Sequence, residues 1–272
     1  MVIDIKQTLA ENKNEFEIIY DDNVVYKAKT PFIKISGAMG LDKLRELKIF
    51  DLEGNEVYKT KYNYIGNKIE EFIPLKYLVT NSQKFDQYIV TNNNDEDQFS
   101  IYFEMRDLFE DSYIIKYKDK IINCYSINDG YILHMPIYDG DKQIGELLKS
   151  QAIYGGKDEY RIYLFDEYKE LADSLSMLVI YLDRVRFNSS YISNKGAEVK
   201  FTKTYSKANK YYDSNWVRNN FGADDYFENV ERDVEKVKSM VKNQAKKTLS
   251  LILIGWLVVL LIVFIALILG FM

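Results

Sequence analysis

Apolar and polar residues alternate with a period of two along the first two thirds of the chain. The alternating runs are rich in Tyr, Phe, Ile and Val, and they cover residues 15–20, 47–51, 98–104, 113–117, 120–125, 131–138 and 160–165. Turn residues such as Gly54 and Gly140 separate them. Such runs joined by turns are typical of antiparallel hairpins. The pattern between about residue 14 and 165 therefore predicts a mainly β fold, a sandwich or a barrel.

The period changes over Glu167–Phe187, which reads EYKELADSLSMLVIYLDRVRF. Its apolar positions, which include Leu175, Leu178, Val179 and Leu182, cover every side of a helix. A helix that is apolar all round must be buried all round, and this run is too short to cross a bilayer. We therefore predict an antiparallel β-barrel over residues 1–190, closed around a central hydrophobic helix at 167–187 with those four residues in its core.

Three segments resemble a known family when taken in order. They are FDLEGNEVYK (50–59), MPIYDGDKQIGEL (135–147) and the helix end LDRVRF (182–187). Their order resembles the tubby C-terminal-like superfamily, which includes LURP-one-related proteins, their bacterial relatives and the phospholipid scramblases. The resemblance covers residues 14–190 and implies a closed barrel around a hydrophobic helix near the end of the domain.

The function of that family transfers less directly than its fold. Tubby domains bind phosphoinositides through basic residues, whereas residues 1–190 hold 24 basic and 33 acidic side chains, and no lipid-contacting Lys or Arg can be matched. Scramblases have an acidic, calcium-linked segment. The nearest candidate here is Asp139, Asp141 and Glu146, which lacks the ligand spacing of a calcium loop and is typical of a hairpin turn. We expect no metal site.

The C-terminal segment 249–271 is almost entirely apolar. Eighteen of its 23 residues are Leu, Ile, Val or Phe, and residues 248–272 carry no charge. A helix of this length spans ~35 Å, enough for a hydrocarbon core of ~30 Å. We predict one transmembrane helix, whose membrane-spanning residues include Leu249, Trp256, Leu260, Phe264 and Phe271.

The flanking charges predict the topology. Lys238, Lys242, Lys246 and Lys247 precede the span, and only Met272 follows it. The positive-inside rule then places the N-terminal part in the cytoplasm, as in a single-pass, tail-anchored protein. The first residues show no apolar signal-peptide core. The Lys-, Asn-, Ile- and Tyr-rich composition is typical of an AT-rich genome and favours a bacterial plasma membrane.

Residues 191–221 form a basic linker in this prediction. Residues 191–247 carry 12 basic and 8 acidic side chains, so this part is +4 where residues 1–190 are −9. Lys200, Lys203, Lys207 and Lys210 alternate with tyrosines and could contact an anionic membrane surface. A solvated linker explains the pattern equally well. Because the sequence pI is about 5.2, we expect no nucleic-acid partner.

The pattern of residues 222–248 predicts a juxtamembrane amphipathic helix. Phe227, Val230, Val234, Val237 and Val241 follow the 3-4-3-4 spacing of an a/d seam. The seam is short, and it leaves two alternatives of equal weight. It could form a homo-oligomer through residues 227–241, or it could dock on the barrel or the membrane.

The sequence shows little that points to catalysis. Cys124 and His134 occur in neighbouring predicted strands, and each is typical of an ordinary strand residue. No phosphate-binding, dinucleotide-binding or nucleophile-elbow motif is present, so we expect no catalytic residue and no cofactor. The leading hypothesis is a non-enzymatic lipid- or protein-binding or regulatory module on a membrane anchor. An oligomeric tether and a scramblase-like lipid-handling protein are the alternatives.

Overall fold

The structure, a computed structural model, describes residues 1–10, 13–31, 46–62, 67, 80–107, 110–154, 157–187, 197–199, 202–203, 211–243 and 256. Sixteen strands occur within these residues. They are β1 Val2–Ala10, β2 Lys13–Tyr20, β3 Asn23–Pro31, β4 Lys48–Phe50, β5 Glu56–Tyr62, β6 Gln83–Asn92, β7 Asp97–Asp107, β8 Glu110–Tyr117, β9 Lys120–Cys124, β10 Ile127–Gly130, β11 Ile132–Asp139, β12 Lys142–Ser150, β13 Ala152–Tyr154, β14 Glu159–Leu164, β15 Ala197–Val199 and β16 Thr202–Lys203.

Twelve of these strands form a closed antiparallel barrel. The order runs from β14 through β1 to β9 in chain sequence, and then through β11 to β12, which pairs with β14 again. Strands β9 and β10 pair with the same edge of β11 at different places, since Cys124 lies opposite Ile137 and Ile127 opposite His134. The prediction of a mainly β, closed barrel is confirmed.

Two tight turns produce the hairpins that the sequence indicates. Gly54 between β4 and β5 has φ +90°, and Gly140 between β11 and β12 has φ +59°. Glycine adopts this left-handed region without the clash that a Cβ causes. In the first turn the backbone N–H of Asn55 also donates to Asp51 Oδ1 at 2.7 Å. Both hairpins therefore form where the local sequence favours them.

An α-helix, Ala172–Leu182, lies inside the barrel, and we call it the central helix. All its side chains except that of Asp173 are buried, including those of Leu175, Leu178, Val179 and Leu182. The ring of Tyr181 contacts Tyr88 on β6 and Tyr113 on β8, at centroid distances of 5.4 and 6.2 Å. Side chains of the barrel and of the helix belong to one continuous apolar cluster, so the helix fills the interior.

The ends of the central helix depart from α geometry. The expected single helix at 167–187 is a 3-10 segment Asp166–Leu171, the α-helix itself, and a π-helical turn Asp183–Phe187. Residues 166, 167, 169 and 170 are exposed and polar. The N-terminal end therefore lacks the apolar packing that keeps the inner part in α geometry.

Within the described residues, two helices cover the barrel from outside. Trp216–Phe221 ends at Gly222, whose φ of +61° is a left-handed C-cap, and a second helix covers residues 224–243. They bury apolar side chains against the outward faces of β1, β11, β12 and β14, which we call the outer wall. This second core contains Leu148, Tyr163, Val217, Ala223 and Phe227.

The predicted a/d seam faces the barrel. Phe227, Val230, Val234 and Val237 are buried, whereas Val241 is 41% exposed. Lys238 on the same helix lies over the ring of Tyr131, with its Nζ 4.4 Å from the ring centroid. Of the two alternatives, docking on the barrel describes the structure, and we call residues 224–243 the docked helix.

The expected linker at 191–221 contains regular structure. Strand β15 pairs with β13, and β16 adds to the barrel sheet through β10, where Lys203 lies opposite Asp129. The small and polar residues of this segment are typical of a solvated linker. Backbone pairing does not require apolar side chains, and this explains the difference.

Several predicted residues lie outside the described part of the chain. These are Lys200, Lys207, Lys210, Lys246, Lys247, Leu249, Leu260, Phe264 and Phe271. Among the residues that are described, no helix is both long enough and apolar enough to span a membrane. Trp256, the described residue of the predicted span, is 64% exposed.

Candidate binding site at the barrel rim

A buried ionisable cluster holds the C-terminal end of the central helix. Asp183 accepts hydrogen bonds from the Tyr160 hydroxyl at 2.7 Å and from Asn14 Nδ2 at 3.3 Å. Nearby, Lys149 Nζ pairs with Asp158 Oδ1 at 2.5 Å, and both of these side chains are almost fully buried. Two carboxylates therefore share the barrel interior with one ammonium group.

The environment shifts the protonation of this cluster. Burial, followed by the charge of Asp158, raises the pKa of Asp183 to about 7, although the Tyr160 hydroxyl, Lys149 and Asn14 oppose the shift. Burial and then the Asp183 charge raise the pKa of Tyr160 well above its usual value. The cluster is enclosed, so its evident role is to fix the helix end and to make stability depend on pH.

The other end of the central helix is also held by hydrogen bonds. The hydroxyls of Tyr20 on β2 and Tyr58 on β5 donate to the Asp173 carboxylate at 2.8 and 2.7 Å. Burial, followed by the Asp173 charge, raises the pKa of both tyrosines. Polar contacts at both ends thus fix the position of the helix along the barrel axis.

A second polar cluster lies on the outer wall. Glu146 Oε1 accepts from the Tyr212 hydroxyl at 2.8 Å and lies 2.8 Å from His134 Nδ1. The Tyr212 hydroxyl is 2.6 Å from the same ring nitrogen, and Phe227 stacks on the His134 ring. The cluster therefore attaches the segment before the docked helix to β11 and β12.

We expect Tyr212→Phe to lower the free energy of unfolding by about 1–2 kcal/mol, because it removes a hydroxyl bonded to a buried carboxylate and a buried imidazole. Urea unfolding measures the change. Tyr211→Phe is the matched control, since Tyr211 is 78% exposed, and should change stability by less than about 0.5 kcal/mol. Equal effects of the two substitutions would contradict the assigned contacts.

An open pocket of about 270 Å³ lies at the barrel rim, where β6, β7 and β8 meet the end of the central helix. We call it the rim pocket. Its lining combines four aromatic rings with one carboxylate and one guanidinium: Phe85, Asp86, Phe103, Tyr113, Tyr181, Val185 and Arg186. Such a combination of an apolar wall with a few polar groups is what ligand sites in proteins contain.

A polar cleft of about 310 Å³ separates part of the docked helix from β1 and β14. Its principal cation, Arg161, is already bound by Asp4 through two hydrogen bonds of 2.6 and 2.8 Å. The hydrogen bonds to Asp4 raise the pKa of the Arg161 guanidinium above its usual value. The rim pocket, which four aromatic rings line, is the stronger candidate binding site.

The structure separates Cys124 from His134. Cys124 faces the barrel interior, where burial raises the pKa of its thiol. His134 lies on the outer wall, where it contacts Glu146. These two residues therefore do not form a nucleophile and base. Among the described residues, no group of three or more His, Cys, Asp or Glu side chains is placed to hold a metal ion.

Two of the four predicted topology lysines, Lys238 and Lys242, lie on the docked helix. Lys238 Nζ pairs with Glu235 Oε1 at 2.7 Å, and this contact raises the Lys238 pKa. Lys242 is exposed to solvent. Sequence patterns missed the rim pocket, because its residues come from three strands and a helix spread between positions 85 and 186. A partial indication was the density of aromatic residues in β6, β7 and β8.

Searches of protein-family models, curated proteins and solved structures found no significant match to this chain. The fold itself defines the class of protein: a closed twelve-strand antiparallel barrel with a helix in its interior.

Proposed function

We propose that this chain is a membrane-anchored, non-enzymatic binding module. In this proposal, residues 249–271 cross the bilayer once, and the barrel lies on the cytoplasmic side of a bacterial plasma membrane. The barrel presents its rim and outer surface to a lipid or protein partner.

The observation that carries the proposal is the position of the docked helix. Its seam is buried from Phe227 to Val237, and its described part ends at residue 243. Six peptide steps then separate it from residue 249, a reach of at most ~22 Å for extended chain. A membrane span starting there would hold the barrel against the membrane surface.

The filled interior supports a role in binding at the outer surface. Ligand-carrying barrels enclose their ligand in the lumen, whereas here the central helix and its apolar neighbours occupy that space. A partner would therefore meet the rim pocket, the outer surface or the basic segment that includes Lys203. Anionic lipid is one partner that the positive charge of residues 191–247 favours.

The oligomeric alternative has less support. Association through residues 227–241 would require the seam residues to leave the barrel, and this would expose Phe227, Val230, Val234 and Val237. Membership of the tubby-like superfamily rests on the quoted segments and on the helix-filled barrel alone. We propose it as the origin of the fold and derive no ligand from it.

Extraction of membranes from cells that express the full chain tests the anchor. The chain should stay in the pellet at alkaline pH. The double substitution Leu260→Arg with Phe264→Arg should release most of it, because each Arg at the centre of a span costs ~2.5–3.5 kcal/mol. The matched control, Leu260→Val with Phe264→Leu, keeps the span apolar and should stay in the pellet.

Release of the unaltered chain by alkali would contradict a membrane span. Equal retention of the Arg variant and its control would likewise contradict it. Barrel integrity in each variant can be checked by far-UV circular dichroism, so that aggregation is not mistaken for membrane retention.

A further inference from the structure

We propose that the barrel meets the lipid bilayer with one of its two ends, the end at which the central helix finishes. This inference rests on the proposed function, since it names the surface that the anchored module turns toward its lipid partner. Three observations lead to it: the direction of the docked helix, the length of chain that follows this helix, and the distribution of charge between the two barrel ends.

The central helix distinguishes the two ends of the barrel. At its start, the chain turns after β2, β4, β6, β8 and β11, and the exposed 3-10 segment Asp166–Leu171 lies beside these turns, where Lys142 pairs with Glu167. We call this the turn end. At its finish, Asp183 accepts a hydrogen bond from Tyr160 near the start of β14. We call this the rim end, because the rim pocket opens there.

The docked helix runs from the turn end to the rim end. Just before it begins, the ring of Phe221 stacks on that of Phe165, which adjoins the 3-10 segment, with centroids 5.7 Å apart. Near its other end, Lys238 lies over the ring of Tyr131. Tyr131 directly precedes β11 and so lies at the rim end, because β11 runs from there to the turn that contains Gly140.

The chain after the docked helix is too short to return to the turn end. Residues 224–243 of this helix span ~30 Å at ~1.5 Å per residue. Beyond the buried part of the seam, Val241, Lys242 and Asn243 are exposed. The six peptide steps to residue 249 reach at most ~22 Å, which is less than the length of the helix. A membrane span starting there brings the rim end, and with it the rim pocket, to the bilayer surface.

The turn end is strongly acidic. Its five turns and the 3-10 segment hold eleven carboxylates and two lysines, at residues 21–22, 51–55, 93–96, 118–119, 140–141 and 166–171. The exposed carboxylates of Asp22, Glu53, Asp119 and Asp141 have no ion-pair partner among the described residues. An anionic leaflet carries a negative surface potential and therefore repels this end of the barrel.

The rim end carries charges of both signs. Lys157, shortly before β14, and Lys242, near the end of the docked helix, are exposed and have no ion-pair partner within the described part of the chain. An exposed carboxylate, Asp111 on β8, lies at the same end. Basic side chains close to an anionic leaflet are attracted to it. Charge therefore favours the same orientation as the short connection does.

Fluorescence quenching of the full chain in lipid vesicles tests the orientation. The vesicles contain phosphatidylcholine and phosphatidylglycerol in equal amounts, with a small fraction of lipid that carries a nitroxide quencher on its headgroup. A bimane fluorophore is attached through Asp111→Cys at the rim end or through Asp141→Cys at the turn end, which are the same substitution at two exposed positions. The native Cys124 is fully buried, so the chain without a new cysteine is the labelling control.

We expect the nitroxide to quench the fluorophore at position 111 at least threefold more than the one at position 141, because a headgroup quencher acts only at short range. Far-UV circular dichroism of both labelled variants checks that the barrel is folded. Equal quenching at the two positions, stronger quenching at position 141, or no quenching at either in a chain bound to the vesicles would overturn the proposed orientation.

Flotation of the same samples separates this outcome from a failure of the proposed function. A chain that floats with the vesicles retains its anchor even where the quenching contradicts the orientation. A chain that stays behind when the vesicles float would remove the anchor and the orientation together.

Discussion

Leu178→Ala should lower the free energy of unfolding by about 2–5 kcal/mol, the usual cost of a cavity in a closely packed core. Leu178 is 1% exposed, and its helix is enclosed by strands on every side. A closed sheet cannot collapse easily onto the space left by the missing atoms, so a value in the upper half of this range is expected. Urea unfolding of the full chain in detergent, followed by tyrosine fluorescence, measures the change.

Leu52→Ala provides the matched control. Leu52 lies in the turn between β4 and β5 and is 54% exposed, so the same substitution should cost less than about 0.5 kcal/mol there. A similar loss at both positions would mean that the helix is not enclosed.

Asp183→Asn should remove much of the pH dependence of stability. The unfolded chain gives this carboxyl its ordinary pKa of ~3.9, whereas burial and the Asp158 charge raise it to about 7 in the folded protein. Between these pH values the folded state binds a proton that the unfolded state has released. The stability that protonated Asp183 contributes is therefore complete below pH ~4 and is lost as the pH rises through about 7.

The difference of about three pKa units corresponds to an effect on the order of 4 kcal/mol, because one unit equals ~1.4 kcal/mol. Relative to the unaltered chain, Asp183→Asn should thus gain a few kcal/mol between pH 4.5 and pH 8. Urea unfolding of both proteins at these two pH values measures the gain. Asp22→Asn, at an exposed turn position with φ +66°, serves as control and should keep the slope of the unaltered chain. An Asp183→Asn variant with that same slope would contradict the burial of this carboxyl.

The period-two runs predicted most of the barrel because inward and outward side chains alternate in a wall with one apolar face. The runs begin at about residue 14 and leave out the first strand, β1, which pairs with β14 and helps to close the barrel. The alternation of Ile3, Asp4, Ile5 and Lys6 was the available indication. The central helix was predictable because its apolar residues face every direction and leave burial as the only stable solution.

The polar interior could not be predicted from the same rule. Lys149 occupies an inward position of β12, where the pattern favours an apolar residue, and Asp158 and the ring of Tyr160 accommodate its charge there. Likewise, Tyr212 and His134 are 78 positions apart, and nothing local in either segment indicates their contact. Partners of this kind follow from the closed topology and not from sequence spacing.

The seam at residues 227–241 illustrates the difference between predicting an element and predicting its partner. Its spacing predicted a helix with one apolar stripe, and a helix is present over residues 224–243. The choice between another copy and the barrel depends on whether an apolar surface exists nearby. The outer wall supplies one through Leu148 and Tyr163, which face outward from β12 and β14.

Hydrogen exchange of the full chain in lipid nanodiscs, read by mass spectrometry, tests most directly whether the barrel is filled by its own helix. Peptides from residues 172–182 should exchange among the slowest of the protein, on the order of hours or longer, because their amides open only when the barrel opens. The exposed turn at 93–96 provides the fast reference within the same molecule. Exchange of the 172–182 peptides as fast as that turn would contradict an enclosed helix and with it the account of binding at the rim.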